Sequence, residues 1–186
     1  YSDVGNYTFD TYLDYVQQGI YLWENSPYVK NYPELYFLNY VLFHRTNDEE
    51  IKPCRTYFWE KIKDKVQGKT MVEAALEINH WCAGEVMYQG TDMRTGSALE
   101  IYRSGVGRCG EEAVFVVNVM RSAGIPARPV YVPRWSHCDD NHAWVEVWCD
   151  GDWHYLGACE PEAVLDKSWF TNAASRAMMI GSRWYD

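Results

Sequence analysis

Cys109 stands at the start of a long apolar run, in the stretch GVGRCGEEAVFVVNVMRSAGIPAR of residues 105–128. The run recurs at helical spacing and ends at a Gly-Ile-Pro sequence, which predicts that Cys109 lies in the first turn of a helix. Free N–H groups and the positive end of the helix dipole favour a thiolate there. Gly107 and Gly110 would let the backbone turn sharply and let a substrate carbonyl approach the Cys109 amide. The pattern indicates a nucleophile, with a small buried apolar cysteine as the alternative.

A nucleophilic thiol needs a general base, and His142 has the best context among the five histidines. It opens the run HAWVEVW, whose alternation predicts a β-strand that can point the His142 ring from a sheet edge into a cleft. The other histidines stand in predicted helices, a polar loop or the next strand, where a surface or core role is favoured: His44, His80, His137 and His154.

The imidazole in turn needs an acceptor that sets its tautomer. An Asp-Gly turn at residues 150–151 predicts a hairpin, which brings the next strand and the following LGACEPE back beside His142. Glu160 is therefore the nearest carboxylate. Four aspartates remain as alternatives, with loop solvation or turn formation as their other role: Asp139, Asp140, Asp150 and Asp152.

The six cysteines permit two further interpretations. Cys138 lies four residues before His142, with Cys149 or Cys159 as a third metal ligand, but no C-x-x-C or H-E-x-x-H motif accompanies them, so we predict no metal site. Cys149 and Cys159 would lie on neighbouring strands, within reach of a disulfide in an oxidising compartment. The chemistry of a thiol and an imidazole requires no cofactor.

The elements that position these residues are a helical first half and a β-rich second half. Capping and periodicity predict four helices: Phe9 to Ile20, a short helix after Pro33, one capped by Asn47 and Glu50, and one from the capping box Thr70/Glu73 to about Tyr88. Residues 89–107 lack periodicity and indicate a long connection. After the central helix come three β-type runs and a further candidate strand in residues 176–185. The order predicts an α+β fold, with a helical lobe at 1–88 and a core at 89–186 in one compact domain.

Composition excludes several classes of function. The net charge of −9 and the absence of a Lys/Arg cluster argue against nucleic acid as a partner. No apolar run approaches the length of a membrane span, so we predict no membrane insertion. The chain starts at Tyr1 and carries several cysteines, which favours an exported or cell-surface protein over a cytoplasmic one.

These residues, taken in order, resemble the transglutaminase-like superfamily of cysteine enzymes, which includes transglutaminases, peptide N-glycanases and many bacterial proteins assigned as proteases. GVGRCGEEAVFVVNVMRSAGIPAR looks like the cysteine helix of that family, NHAWVEVW like its histidine strand, and EPE like its Asp-Pro segment. The match is firm from about Gly105 to Pro161 and loose before it.

The resemblance implies a papain-like core in which a central helix packs on an antiparallel β-sheet. It further implies Cys109 as nucleophile, His142 as general base and acid, and a carboxylate that orients His142. The third residue of the family is usually Asp, and an ungapped alignment at Trp153 places Gly157 there, so Glu160 would require a short insertion. The family also uses an upstream side chain near the oxyanion, for which Trp81 is the candidate, with Gln89 as the alternative.

The leading hypothesis is acyl transfer at an amide through a thioester, on a protein or peptide substrate. Hydrolysis is favoured over cross-linking to an amine, because the chain has no counterpart of the calcium-binding loops and extra β-domains of animal transglutaminases. The alternative from another class is a binding module that presents an aromatic-rich cleft to a peptide or glycan. The unusual third residue is its best support.

Overall fold

A computed structural model describes residues 3–90 and 94–182 of the chain. A 3-10 turn at Val29–Asn31 follows the second helix, and a π-helical turn at Leu38–Leu42 follows the third. The α-helices are α1 (Asp3–Asn6), α2 (Phe9–Asn25), α3 (Glu34–Phe37), α4 (Arg55–Val66), α5 (Met71–Glu85), α6 (Ala98–Ser104), α7 (Cys109–Ser122) and α8 (Thr171–Ala174).

The strands form two sheets. The smaller sheet pairs β1 (Met87–Tyr88) in parallel with β2 (Val106–Gly107), directly before Cys109. The larger one has the order β5-β4-β3-β6 with every neighbour antiparallel, and its strands are β3 (Ala127–Val132), β4 (His142–Cys149), β5 (Asp152–Leu156) and β6 (Gly181–Ser182). Both residues of the Asp150-Gly151 turn have positive φ, as a tight hairpin requires, so the predicted hairpin is confirmed.

Helix α7 is the centre of the molecule. Every residue from Glu111 to Ser122 is buried, because α7 packs against α4, α5 and α6 and also against β3 and β4. Side chains from the helical half and from the sheet join in one apolar cluster around it. The predicted α+β architecture, with a central helix packed on an antiparallel sheet, is therefore confirmed. The division into a lobe and a core near residue 88 stays a prediction.

The predicted N-cap of the third helix was wrong. Helix α4 begins at Arg55 instead of next to Asn47, since Pro53 disfavours helical backbone in the residue before it. The cap comes from α2: the Asp14 carboxylate accepts the N–H of Arg55 at 2.7 Å and the N–H of Thr56 at 3.1 Å. A cap supplied by another helix leaves no local sequence pattern.

Three further boundaries differ from the prediction. The connection contains helix α6, which begins with a capping box in which the Glu100 carboxylate accepts the Ser97 N–H at 2.9 Å. Seven residues are too few to show clear helical periodicity. The fourth helix ends at Glu85, because Met87 and Tyr88 pair with β2. The last predicted strand is only the two residues of β6, and residues 183–185 lie outside the described part.

The predicted disulfide between Cys149 and Cys159 is wrong. Both cysteines are free, and the register of the hairpin separates them: Cys149 lies opposite Asp152, whereas Cys159 follows Leu156, which pairs with Val145. Four residues along a strand span about 13 Å, well beyond the ~7 Å limit between the Cα atoms of a disulfide.

Of the helices within residues 3–90 and 94–182, none combines the length and the apolar composition that crossing a bilayer requires.

Candidate active site

Cys109 is the first residue of α7, as predicted, and is half-buried. Glu111 fixes the backbone before Cys109, because its carboxylate accepts the Arg108 N–H at 3.2 Å and the Gly96 N–H at 3.0 Å. The backbone amides of Gly110 and Ala143 face the Cys109 sulfur. Because Ala143 directly follows His142, the start of β4 lies against the start of α7. The fold thus brings together two elements that are 33 residues apart in the sequence.

Burial raises the pKa of the Cys109 thiol above its ordinary value, and the nearby Glu112 adds to the increase. The amides of Ala143 and Gly110 and the charge of Arg108 lower the pKa, but burial outweighs them. The thiol is therefore neutral at pH 7, and a position at a helix N-terminus does not by itself produce a thiolate here. A base must remove the proton as the sulfur reacts.

His142 lies in a box of aromatic rings and is only 8% exposed. The ring centroids of Trp169 and Phe170 are 4.9 Å from that of His142, and those of Trp135 and Trp144 are 6.2 Å away. This burial lowers the pKa of His142 to about 4, against a smaller opposing effect of Asp140. The imidazole is thus neutral at physiological pH, which is the form that accepts a proton.

Glu160 is the carboxylate that the fold places beside His142. Its Oε2 lies 4.0 Å from His142 Nε2, a nitrogen that is buried and has no hydrogen-bond partner. The Trp169 indole N–H donates to the same Oε2 at 2.9 Å. Burial raises the pKa of Glu160, and the Trp169 hydrogen bond opposes the increase.

Gly157 makes room for this carboxylate. The Glu160 N–H donates back to the Gly157 carbonyl at 3.1 Å, which folds residues 157–160 into a tight turn with Cys159 at a φ of 57°. A Cβ atom at position 157 would collide with Glu160 Oε2 and would lie 3.2 Å from Ser168 Oγ. The Glu160 side chain therefore occupies the space that a side chain at position 157 would fill, so the turn brings its carboxylate to the place where the resemblance expects an aspartate.

Of the four competing aspartates, only Asp140 has a charge that acts on His142, where it raises the pKa against the effect of burial. Asp150 and Asp152 belong to the hairpin turn at the far end of β4 from His142. Asp139 pairs with Arg134 at 3.2 Å in an exposed contact, and the Asp140 carboxylate accepts the N–H of Asn141 at 2.8 Å. Each has the turn or loop role that was weighed against Glu160.

Asn79 on α5 holds the Glu160 turn, and sequence reasoning did not identify it. Its side-chain amide donates to the Gly157 carbonyl at 2.9 Å and its oxygen accepts the Cys159 N–H at 3.0 Å, with the residue 2% exposed. The signal in the sequence is an asparagine within an apolar helix face, since a buried amide requires polar partners.

We expect Asn79→Ala to lower the free energy of unfolding by roughly 2 to 4 kcal/mol, since the Cys159 N–H loses its partner and the Gly157 carbonyl keeps only the Glu160 N–H. Urea unfolding measures the change. Asn25→Ala is the matched control, because Asn25 makes one exposed hydrogen bond to the Tyr21 carbonyl. Equal losses in the two variants would contradict the role assigned to Asn79.

The predicted oxyanion residues have different surroundings. Trp81 is partly buried and its ring lies 6.0 Å from both Tyr102 and Phe115, in the packing between α5, α6 and α7. A Cβ atom on Gly110 would meet nothing within 4 Å, so there is open space beside the Cys109 amide. The roles of Trp81 and Gly110 stay predictions. Neither Gly107 nor Gly110 has a positive φ, and the expected sharp turn at these glycines stays a prediction.

Glu112 is a second carboxyl in the site that the sequence analysis missed. It is 3% exposed, and burial together with Glu160 and Glu111 raises its pKa to about 8. At pH 7 Glu112 is therefore protonated. Because the charge of Glu160 raises the pKa of Glu112, a neutral Glu112 avoids repulsion with an ionised Glu160.

A cavity of about 540 Å³ adjoins Trp135, which also contacts His142. The loop 133–139 forms one wall, and Met178 and Met179 contribute apolar, exposed side chains to it. Within residues 3–90 and 94–182, no group of three His, Cys, Asp or Glu side chains is placed to hold a metal ion. The alternative ligand set of Cys138, His142 and a third cysteine is thus not assembled.

Comparison with known proteins gives one family. The model of the transglutaminase-like superfamily matches residues 60–158, which is more than half of the chain. The search of curated proteins found no match to this chain. Among solved structures, a Cytophaga hutchinsonii protein provisionally named a cysteine protease matches with 18% identity and a TM-score of 0.49, over 70% of this chain and 46% of its own. LapG of Legionella pneumophila matches with 17% identity and a TM-score of 0.48, over 66% of this chain and 68% of its own.

Proposed function

Because the chain belongs to the transglutaminase-like superfamily, we propose that it transfers acyl groups from amide bonds of proteins or peptides, with Cys109 as nucleophile and water as acceptor. One observation carries the proposal. The start of β4 lies against the thiol, and His142 points its buried, unpartnered Nε2 toward Glu160. The strand that carries the imidazole thus begins beside the thiol, and the carboxylate lies beside the imidazole.

The reaction starts from a neutral pair. As the Cys109 sulfur attacks the substrate carbonyl carbon, its proton passes to Nδ1 of His142, because Nε2 faces Glu160. Amides of the first turn of α7 have no partner within the helix and can hold the oxyanion. The imidazolium then protonates the leaving nitrogen, the C–N bond breaks and a thioester remains. Water attacks the thioester and gives a proton to His142. The C–S bond then breaks, the carboxylic acid product leaves, and His142 returns the proton to the Cys109 sulfur.

Glu160 orients His142 and stabilises the imidazolium. In the resting state Nε2 and Oε2 are 4.0 Å apart, which is longer than a hydrogen bond. When His142 takes the proton, the pair becomes oppositely charged and the separation is expected to shorten. A low-dielectric surrounding of aromatic rings strengthens that attraction.

Acylation by p-nitrophenyl acetate tests the proposal without knowledge of the natural substrate. We expect release of p-nitrophenolate together with an acetyl group on Cys109, located by peptide mapping and removed by hydroxylamine. Incubation with casein and dansylcadaverine then separates the acceptors: new peptide ends indicate water, and fluorescent casein indicates an amine. Acetylation of the exposed Cys138 without preference for Cys109 would refute the proposal, and the binding module would take its place.

The acid dependence follows from the burial of His142. Since its pKa is lowered to about 4, the base form persists well below pH 6.5. We expect the ratio of the acylation rate of the parent protein to that of His142→Ala to persist down to about pH 5 and to collapse near pH 4. Stopped-flow release of p-nitrophenol from pH 3.5 to 8, followed at a wavelength where the phenol and the phenolate absorb equally, measures it. A collapse of the ratio already near pH 6.5 would show a solvated His142.

A further inference from the structure

Trp169 has an unusual environment for a large aromatic residue. It is 64% exposed and lies in the loop between β5 and α8. The loop is anchored through Asp166, whose carboxylate bonds His154 Nδ1 at 2.6 Å and accepts the Tyr155 N–H at 2.9 Å. At its end, Thr171 Oγ1 accepts the Ser168 N–H at 3.0 Å. The backbone on both sides of Trp169 is thus fixed, although its side chain is largely exposed.

The indole contacts both partners of the His142 and Glu160 pair. Its N–H donates to Glu160 Oε2, the same oxygen that lies 4.0 Å from His142 Nε2. Its ring centroid is 4.9 Å from the His142 ring and 5.6 Å from Phe170, against which it packs edge-on. Burial of apolar area does not explain this placement, since most of the ring is in solvent. The hydrogen bond and the ring contact do.

Without the indole N–H, no other side chain within the described residues donates to Glu160. The carboxylate of a glutamate has three rotatable bonds and would sample other positions. The orientation of the Glu160 side chain is specific, because its carboxylate fills the space beside Gly157 that a side chain at position 157 would occupy.

We propose that Trp169 is a positioning residue that holds the Glu160 carboxylate against His142 through its indole N–H. The inference rests on the proposed function, because it assigns Trp169 a part in the same reaction. Trp169 acts through Glu160 and takes no part in proton transfer.

The hydrogen bond also acts on the ionisation of Glu160. The titratable groups near Glu160 are His142 from β4, Glu112 from α7 and the adjoining Cys159, and Trp169 donates a hydrogen bond to it. Of these the Trp169 N–H lowers the pKa of Glu160 against the effect of burial. Removing the N–H raises that pKa, so Glu160 becomes protonated at a higher pH than in the parent protein. The loss of rate is therefore larger in acid than in base.

Trp169→Phe tests the inference, since phenylalanine keeps an aromatic ring and lacks the N–H. We expect acylation of Cys109 by p-nitrophenyl acetate to fall about tenfold at pH 5.5 and less at pH 8. Trp23→Phe is the matched control, because Trp23 is also an exposed tryptophan and contacts Phe37, far along the chain from the site. Thermal unfolding of both variants checks that each is folded.

A double-mutant cycle with Glu160→Ala assigns the effect, because alanine has no acceptor for the indole N–H. We expect Trp169→Phe to add little loss when Glu160 is already alanine. An unchanged pH profile in Trp169→Phe, or a full additional loss in the double variant, would overturn the inference. Failure of the proposed function looks different: in that case the parent protein itself does not acylate Cys109.

Discussion

Cys109→Ala is expected to abolish acyl transfer, and His142→Ala to lower the rate of acylation by a hundredfold or more. The first variant has no nucleophile. The second has no base for a thiol whose pKa burial has raised, and general-base catalysis contributes about 10²- to 10⁴-fold. Release of p-nitrophenolate and the amount of acetylated Cys109 measure the two effects.

The double variant decides whether the two residues act as a unit. Since every step in which His142 moves a proton requires the Cys109 thiol, the double variant should be no worse than Cys109→Ala. Cys138→Ala is the matched control for loss of a thiol, because Cys138 is exposed and lies in the loop before β4. Partial losses that add would contradict the mechanism, as would a comparable loss in Cys138→Ala.

Glu112→Gln is expected to stabilise the protein by a few kcal/mol at pH 8. In the folded protein the pKa of Glu112 is about 8, whereas in the unfolded chain it is near 4.5. The part of the folding stability that depends on Glu112 is therefore fully present below pH 4.5. It is lost as the pH rises through about 8, because Glu112 ionises at a lower pH in the unfolded chain than in the folded protein. Each pKa unit corresponds to about 1.4 kcal/mol. Glutamine has the shape of the neutral acid and carries no such penalty.

Urea unfolding at pH 8 and at pH 4.5 measures the effect. The gain should be present at pH 8 and absent at pH 4.5, which separates it from an improvement in packing. Glu24→Gln is the control, because Glu24 is exposed on α2. A gain of equal size at both pH values, or a loss at pH 8, would show that Glu112 is not held neutral by its surroundings. A buried glutamate that lowers stability beside Cys109 is typical of a functional site, where activity is maintained at a cost in stability.

The third position shows how sequence alignment and structure differ. An ungapped alignment places Gly157 where the family has Asp, and Glu160 then needs an insertion. In the structure residues 157–160 form a turn, in which the Glu160 N–H donates to the Gly157 carbonyl and Asn79 donates to the same carbonyl. The turn places the Glu160 carboxylate over Gly157. Because Gly157 has no side chain, Glu160 reaches His142 from three residues farther along the chain.

Local patterns were sufficient for much of the fold. The period of the apolar residues and the Gly-Ile-Pro stop determine helix α7, and alternation with an Asp-Gly turn determines the hairpin of β4 and β5. Cys109 and His142 were identified from the same patterns, since each begins one of these elements. Signals of this kind act over a few residues, so the sequence shows them directly.

The sequence by itself therefore determined the α+β order, the helix that begins at Cys109 and the strand that begins at His142. Only the tertiary structure decided the cap that Asp14 gives to α4, the hydrogen bonds of Asn79 to the Glu160 turn and the hydrogen bond of Trp169 to Glu160. It also decided the ionisation of the site, where burial keeps Cys109, His142 and Glu112 neutral. The physical reason is that hydrogen bonds between distant segments and desolvation depend on which side chains the whole fold packs together.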